Sequence, residues 1–164
     1  VIDYLQLLLQ GTDLGILSEA GAPGIADPGS LLVEMAHQNK VKVVPLVGPS
    51  SMFLALMASG FNGQQFTFHG YLSQRTNERK RDIQQVEQAA YRTGATQLFM
   101  ETPYRNMALF DDLVKYCRPQ TRLCIACDLT LPNELIATKP IGDWKRQKPK
   151  PNLHKRPAVF LLSK

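Results

Sequence analysis

Four times along this chain a short apolar run gives way to a turn and then to residues spaced like a helix. Residues 14–17 lead through a glycine-rich loop to 30–39, and 41–46 lead through Gly48-Pro49-Ser50-Ser51 to 52–59. Residues 66–72 precede a charged helical stretch over 76–93, and 97–100 precede a helical pattern over 104–117. Strands that alternate with helices predict an α/β fold, a parallel sheet with helices on its faces. Residues 122–127, 134–138 and 158–162 read as three further strands. The polar, turn-prone stretch 61–65 interrupts the series and predicts a boundary between a domain over 1–63 and a second over 64–164.

The 164 residues are 44% hydrophobic and 20% charged, enough apolar material for a packed core. The longest unbroken apolar run, 52–58, is far short of the roughly 20 residues a membrane-spanning helix needs. A basic stretch followed by an apolar one and a small-residue cleavage site is absent, so no signal peptide is expected. Three cysteines make an odd number without framework spacing, which fits a reducing, cytoplasmic setting. The chain opens without Met and inside a helical pattern, Ile2, Leu5, Leu8, Leu9, closed by Gly11. The expectation is that the first domain is incomplete.

Charge divides unevenly. Residues 1–63 carry two lysines against five acids, whereas 64–164 carry 17 lysines and arginines against nine acids. Between Lys145 and Arg156 lie six Lys or Arg, His154 and no acid, with Pro149 and Pro151 excluding regular structure. This reads as a mobile basic loop, either simply solvated or in contact with an anionic partner, nucleic acid first.

Ligands of open α/β sheets sit beyond the carboxyl ends of the strands. The glycine-rich loop 18–29, the turn 48–51, Glu101-Thr102-Pro103-Tyr104-Arg105 and Asp128-Leu129-Thr130 all follow predicted strands. The first loop is not a Walker A, for no cation follows before Lys40, and its glycines at 21, 24 and 29 do not spell a dinucleotide fingerprint. Its Glu19 and Asp27 repel phosphate. Backbone amides and carbonyls beside carboxylates suit a cationic or zwitterionic ligand, a sulfonium with an amino-acid tail among them. Alternatively the loop is structural, with Asp27 capping the next helix and Pro28 in its first turn. Thr102 and Pro103 likewise read as a helix start. Arg105 then falls in a first turn, where a cation is disfavoured, and calls for a partner such as Glu101. Cys124 and Cys127 lie three apart on a strand and so face opposite ways, as core cysteines do. His37 and His69 have no ligand-type spacing to a cysteine or another histidine, and no metal is expected.

SEAGAPGIADPG, VGPSS, ETPYR and the DLT followed by Glu134, in this order, resemble the tetrapyrrole methylase family. More closely, they resemble its ribosomal RNA branch, which methylates a cytidine ribose 2′-hydroxyl of the small subunit. The resemblance spans essentially the whole chain. It implies two α/β domains of the tetrapyrrole methylase type, with S-adenosylmethionine between them, in a homodimer. It also implies that Ala20, Gly21, Ala22, Pro23 and Gly24 approach the methionine part of the cofactor, with Ser50 and Ser51 nearby. Met100, Pro157 and Ala158 would help hold the nucleoside. Three departures stand out: Glu19 where the family usually has Asp, Ala22 where it has Thr, and Leu131 where the strand-end pattern has Lys. The family's first strand and its glycine-rich turn are not in the sequence.

Three functions are weighed. The first is S-adenosylmethionine-dependent methylation of ribosomal RNA. A ribose hydroxyl needs a proton acceptor in the transition state, and Glu19, Asp27 and Glu101 are the candidates. The second is methylation of a tetrapyrrole carbon, whose acidic side chains would also suit a basic protein. The third is RNA binding without catalysis.

Overall fold

The computed structural model describes residues 2–19 and 21–164. The chain divides into two units, Val1–Ser50 and Ser51–Lys164.

In the first unit α1 (Ile2–Leu9) packs against α2 (Ser30–Gln38). The apolar spacing expected at the start of the chain does form a helix. The strands expected over 14–17 and 41–46 do not form; both segments run as irregular chain. A strand exists only where a neighbour takes up its backbone hydrogen bonds, and among the described residues of this unit no other run pairs with them. Their apolar side chains stay open, with Leu17, Leu46 and Val47 almost wholly exposed.

The second unit is built on five strands: β1 (Phe66–Tyr71), β2 (Thr96–Met100), β3 (Arg122–Cys127), β4 (Leu135–Pro140) and β5 (Ala158–Ser163). Four helices accompany them: α3 (Ser51–Ser59), α4 (Thr76–Thr93), α5 (Asn106–Tyr116) and α6 (Ile141–Arg146). The strand order is β1-β2-β5-β3-β4. The expectation of a parallel sheet is corrected here. Only β1 and β2 pair in parallel, and β5 runs antiparallel to β2 and β3, as β4 does to β3. The reason is connection length. The short turn over 128–134 joins β3 to β4, and a turn of that size can make a hairpin but not a crossover. β5 then enters between β2 and β3 from the opposite direction.

Burial follows the period of two that strands impose. Phe99, Leu123, Ile125, Cys127, Phe160 and Leu162 face one side, where they meet Ile83, Val86, Leu109, Phe110, Leu113, Ile141, Trp144 and Leu153. Leu98, Cys124, Ala126, Val159 and Leu161 face the other, against Ala55 and Leu56 of α3. Helix 52–59, grouped with the first half on sequence, packs on this sheet through β3, β4 and β5. All of β5 and nearly all of β3 is buried, as continuous apolar runs in central strands require. The outer strands are blunted: β4 ends in Lys139 and Pro140, and β1 carries a bulge between Phe68 and Tyr71. The basic stretch is not loose. Leu153 is buried in the larger core, Pro151 is buried too, and α6 takes up its first residues.

α4 is polar in composition yet has a buried stripe. Ile83, Val86 and Ala90 lie inside, and so do Arg79 and Glu87. Arg79 donates through Nε to Asp112 Oδ2 at 2.7 Å, tying α4 to α5. Glu87 Oε1 accepts from the backbone N–H of Arg118 at 2.7 Å and from the Thr121 hydroxyl at 2.5 Å. These bonds fix the helical layer in register over the sheet.

Removing one partner of the buried pair strands the other charge. Asp112→Ala is expected to destabilise the second unit by about 3–5 kcal/mol, whereas Arg79→Met combined with Asp112→Leu recovers most of that loss. Urea unfolding followed by fluorescence of Trp144, the one tryptophan, measures both.

Candidate functional site

The carboxyl ends of β1, β2 and β3 and the beginnings of β4 and β5 share one edge of the sheet. Tyr71 pairs with Met100, Met100 with Val159, and Cys127 with both Leu135 and Ala158. Mixed strand direction therefore still gathers the loops 101–105, 128–134 and 155–157 on a single rim. Of the residues singled out on sequence, the rim brings together Met100, Glu101, Pro157 and Ala158. Met100 is half-buried on the α3 side, whereas Ala158 is buried on the other.

Glu101 follows β2 directly and its side chain is almost entirely buried. Its Oε1 accepts from Arg105 at 2.8 Å and from the Thr102 N–H at 2.7 Å. Arg105 thus has the partner its position demanded, and that carboxylate bond raises the guanidinium pKa above its ordinary value. The expected cap is corrected: α5 starts at Asn106 with Arg105 as N-cap, and Thr102 serves instead as the acceptor of a turn closed by the Arg105 N–H. Asn106 donates through Nδ2 to the Arg156 carbonyl at 2.6 Å. Three buried polar atoms here lack a hydrogen-bond partner: Glu101 Oε2, Arg105 Nε and Asn106 Oδ1. Buried polar atoms are nearly always satisfied, so a cluster of exceptions marks a place where a ligand or water completes the bonding.

A second knot lies beside it, formed by Asp128 of the strand-end loop singled out on sequence and by Arg156, a partner the sequence did not give. Asp128 Oδ2 accepts from Arg156 Nε at 2.7 Å and also from Asn133 Nδ2. Arg156 donates further to the carbonyls of Asn152 and Asn133. The Asp128 bond is the chief cause of a raised Arg156 pKa. Asp128, Thr130 and Lys155 all hold positive φ, of 50°, 69° and 59°. Strained backbone of this kind persists only where the surroundings over-determine it. The signal available on sequence was the pairing of a strand-end Asp128 with the last cation before β5.

In the first unit the glycine-rich loop turns repeatedly into left-handed backbone. Gly21 has φ 120° and Gly24 has φ 77°. A Cβ at Gly24 would meet nothing within 4 Å, so conformation rather than crowding calls for glycine there, and the space beside it is open. Ala22 is half-buried; Pro23 and Glu19 are exposed. Ala20 lies outside the described residues. The reading of Asp27 as a cap is corrected: α2 starts at Ser30, with Gly29 as N-cap at φ 131° and no side-chain cap. Pro28 and the left-handed Gly29 displace the helix start beyond the reach of Asp27, which is half-buried. Ser50 is buried, and Ser51 opens α3.

Cys124 and Cys127 belong to opposite faces of the sheet, one in each core cluster, as their spacing predicted. No metal-binding group of three His, Cys, Asp or Glu side chains occurs among the described residues, and no helix is long and apolar enough to cross a membrane.

Residues 2–144 match the family model of the Tetrapyrrole (Corrin/Porphyrin) Methylases. The chain belongs to this family. Relatives of the tetrapyrrole methylase chain include the ribosomal RNA small subunit methyltransferase I of Vibrio cholerae, 33% identical over 136 residues. That match takes in 83% of this chain and 46% of the relative. The protein of the same name from Synechocystis is 32% identical, over 78% of this chain and 44% of the relative. The chain thus spans about half the length of these curated relatives. A crystal structure of the methyltransferase CobJ superposes with a TM-score of 0.65 at 20% identity, over 99% of this chain and 69% of that one. At that identity the likeness speaks for the fold, which is that of the tetrapyrrole methylases.

Burial raises the thiol pKa of Cys117, Cys124 and Cys127 above the ordinary 9.0, and Glu87 pushes Cys117 further in the same direction. Native protein is expected to resist iodoacetamide at pH 8.5, near the ordinary thiol pKa, and to take up three equivalents once unfolded. Raised folded-state values leave stability intact below pH 9.0 and lower it above, as thiols of the unfolded chain ionise first. Mass spectrometry of the alkylated protein and urea midpoints against pH check the two halves.

Proposed function

We propose that the protein is an S-adenosylmethionine-dependent methyltransferase acting on ribosomal RNA of the small subunit, at a cytidine ribose 2′-hydroxyl. The observation that carries the reading is the match of 83% of the chain to a relative named ribosomal RNA small subunit methyltransferase I. Within it, Ala20 to Gly24 with Ser50 and Ser51 would hold the methionine part of the cofactor, and Met100, Pro157 and Ala158 the nucleoside. The left-handed backbone at Gly21 and Gly24, with open space beside Gly24, suits a ligand approached by main chain. When bound, the cofactor supplies a methyl group already attached to a sulfonium leaving group. The protein's share is then alignment and the acceptance of one proton.

Of the three candidate acceptors, Glu19 is exposed and Asp27 half-buried. Glu101 is buried and keeps one oxygen without a donor. A substrate hydroxyl would complete its hydrogen bonding, which favours Glu101. The division at residue 63, a homodimer and a cytoplasmic location belong to the same proposal.

Calorimetry with S-adenosylmethionine and with its demethylated product tests the cofactor reading; no heat with either overturns it. Gly21→Val, which forces a branched residue into φ 120°, is expected to lower donor affinity at least tenfold while leaving the urea transition of Trp144 unchanged. Visible absorbance changes on mixing with an acidic tetrapyrrole, without RNA methylation, would assign the acceptor to the second function instead.

A further inference from the structure

The rim of the second unit carries an aromatic group that its core does not use. Tyr104 is 71% exposed, although it lies between buried Glu101 and Asn106 in the chain. The His154 ring lies edge-on to it, 6.5 Å between centroids at 82°. Lys155 Nζ sits 5.9 Å from the centre of the tyrosine ring. The two stretches are clamped by main chain, the Lys155 N–H donating to the Pro103 carbonyl at 3.0 Å. Beneath them Leu153 is anchored in the core, and Arg156 is tied to Asp128. The cluster is held by what lies below it, while its upper surface is open.

Charge along the segment that carries His154 and Lys155 is one-sided. Arg146, Lys150 and Arg156 have carboxylate partners in Asp143, Asp111 and Asp128. Lys145, Lys148 and Lys155 make no ion pair among the described residues, and no acid follows Asp143 in the chain. Of these, Lys155 is the cation set against the tyrosine ring. An exposed ring with a histidine at its edge and a lysine over it matches what single-stranded nucleic acid presents, a flat base and a flanking phosphate.

We infer that Tyr104, with His154 and Lys155, is a stacking platform for an unpaired base of the RNA substrate, and that Lys155 takes an adjoining phosphate. This rests on the RNA reading above and deepens it, placing the strand across the rim beside Glu101. A duplex keeps its bases stacked on each other and offers the ring nothing, so the platform selects an unpaired segment.

The test is fluorescence anisotropy with a short labelled single-stranded RNA and the same strand annealed to its complement. Donor calorimetry is run on every variant. Tyr104→Ala is expected to weaken single-strand binding about tenfold, and Tyr104→Phe to stay within about twofold of the parent. Lys155→Gln should reduce the slope of log affinity against log salt by about one. Arg92→Ala, on the exposed end of α4, serves as a control with no change. Single-strand binding by Tyr104→Ala equal to the parent, or a loss in Tyr104→Phe as large as in Tyr104→Ala, overturns the platform. Donor heat without any RNA binding by the parent overturns both the platform and the RNA reading. Tyr104-dependent RNA binding without donor heat upholds the platform and overturns the methyltransferase reading alone.

Discussion

The insertion of β5 between β2 and β3 is the constraint from which the second unit follows. Its six residues are buried and hydrogen-bonded on both sides. Without it the β1–β2 pair and the β3–β4 hairpin would be two small ribbons, each too narrow to be stable alone. Its alternating side chains also feed both cores at once: Phe160 and Leu162 below the helical layer, Val159 and Leu161 below α3. Because β5 starts where β2 and β3 end, its first residues and the last residues of the preceding basic segment arrive at the rim that holds Glu101 and Asp128. One strand thus sets the core, the strand order and the composition of the rim.

Much of this unit was legible in the sequence. The continuous apolar runs LCIAC and AVFLL, and the period near 3.6 over 76–93, report which atoms leave water, and burial dominates the energetics of both. Strand direction was not legible, since a buried run reads the same both ways; only the shortness of the 128–134 turn held the information. Arg79 and Glu87 escaped because a charged residue on a polar helix is ordinarily solvated, and their partners Asp112 and Thr121 come from distant parts of the chain. In the first unit the apolar runs 14–17 and 41–46 carry strand composition but have no ladder. A strand is a relation between two segments, and composition describes only one of them.

The candidate site was partly legible too. The motifs ETPYR and DLT pointed to the rim, and the Arg105–Glu101 pair followed from a cation misplaced against a helix dipole. The orphaned atoms of Glu101, Arg105 and Asn106 were beyond any sequence pattern, because satisfaction depends on what three dimensions bring near. The same is true of Tyr104. In the chain it is one residue of a helix start; on the rim it is an exposed ring beside a histidine and a lysine that lie far along the sequence. Family membership joins these observations without replacing them: the fold supplies the rim, and the side chains decide what it recognises.

The treatment of the two outermost strands has a consequence for how copies of the chain coexist. A proline and a lysine close one side of the sheet, and a bulge breaks the hydrogen-bonding row on the other. Lateral addition of a foreign strand is therefore disfavoured at both margins. Crowded conditions during synthesis are correspondingly less hazardous for it than its apolar central strands would suggest.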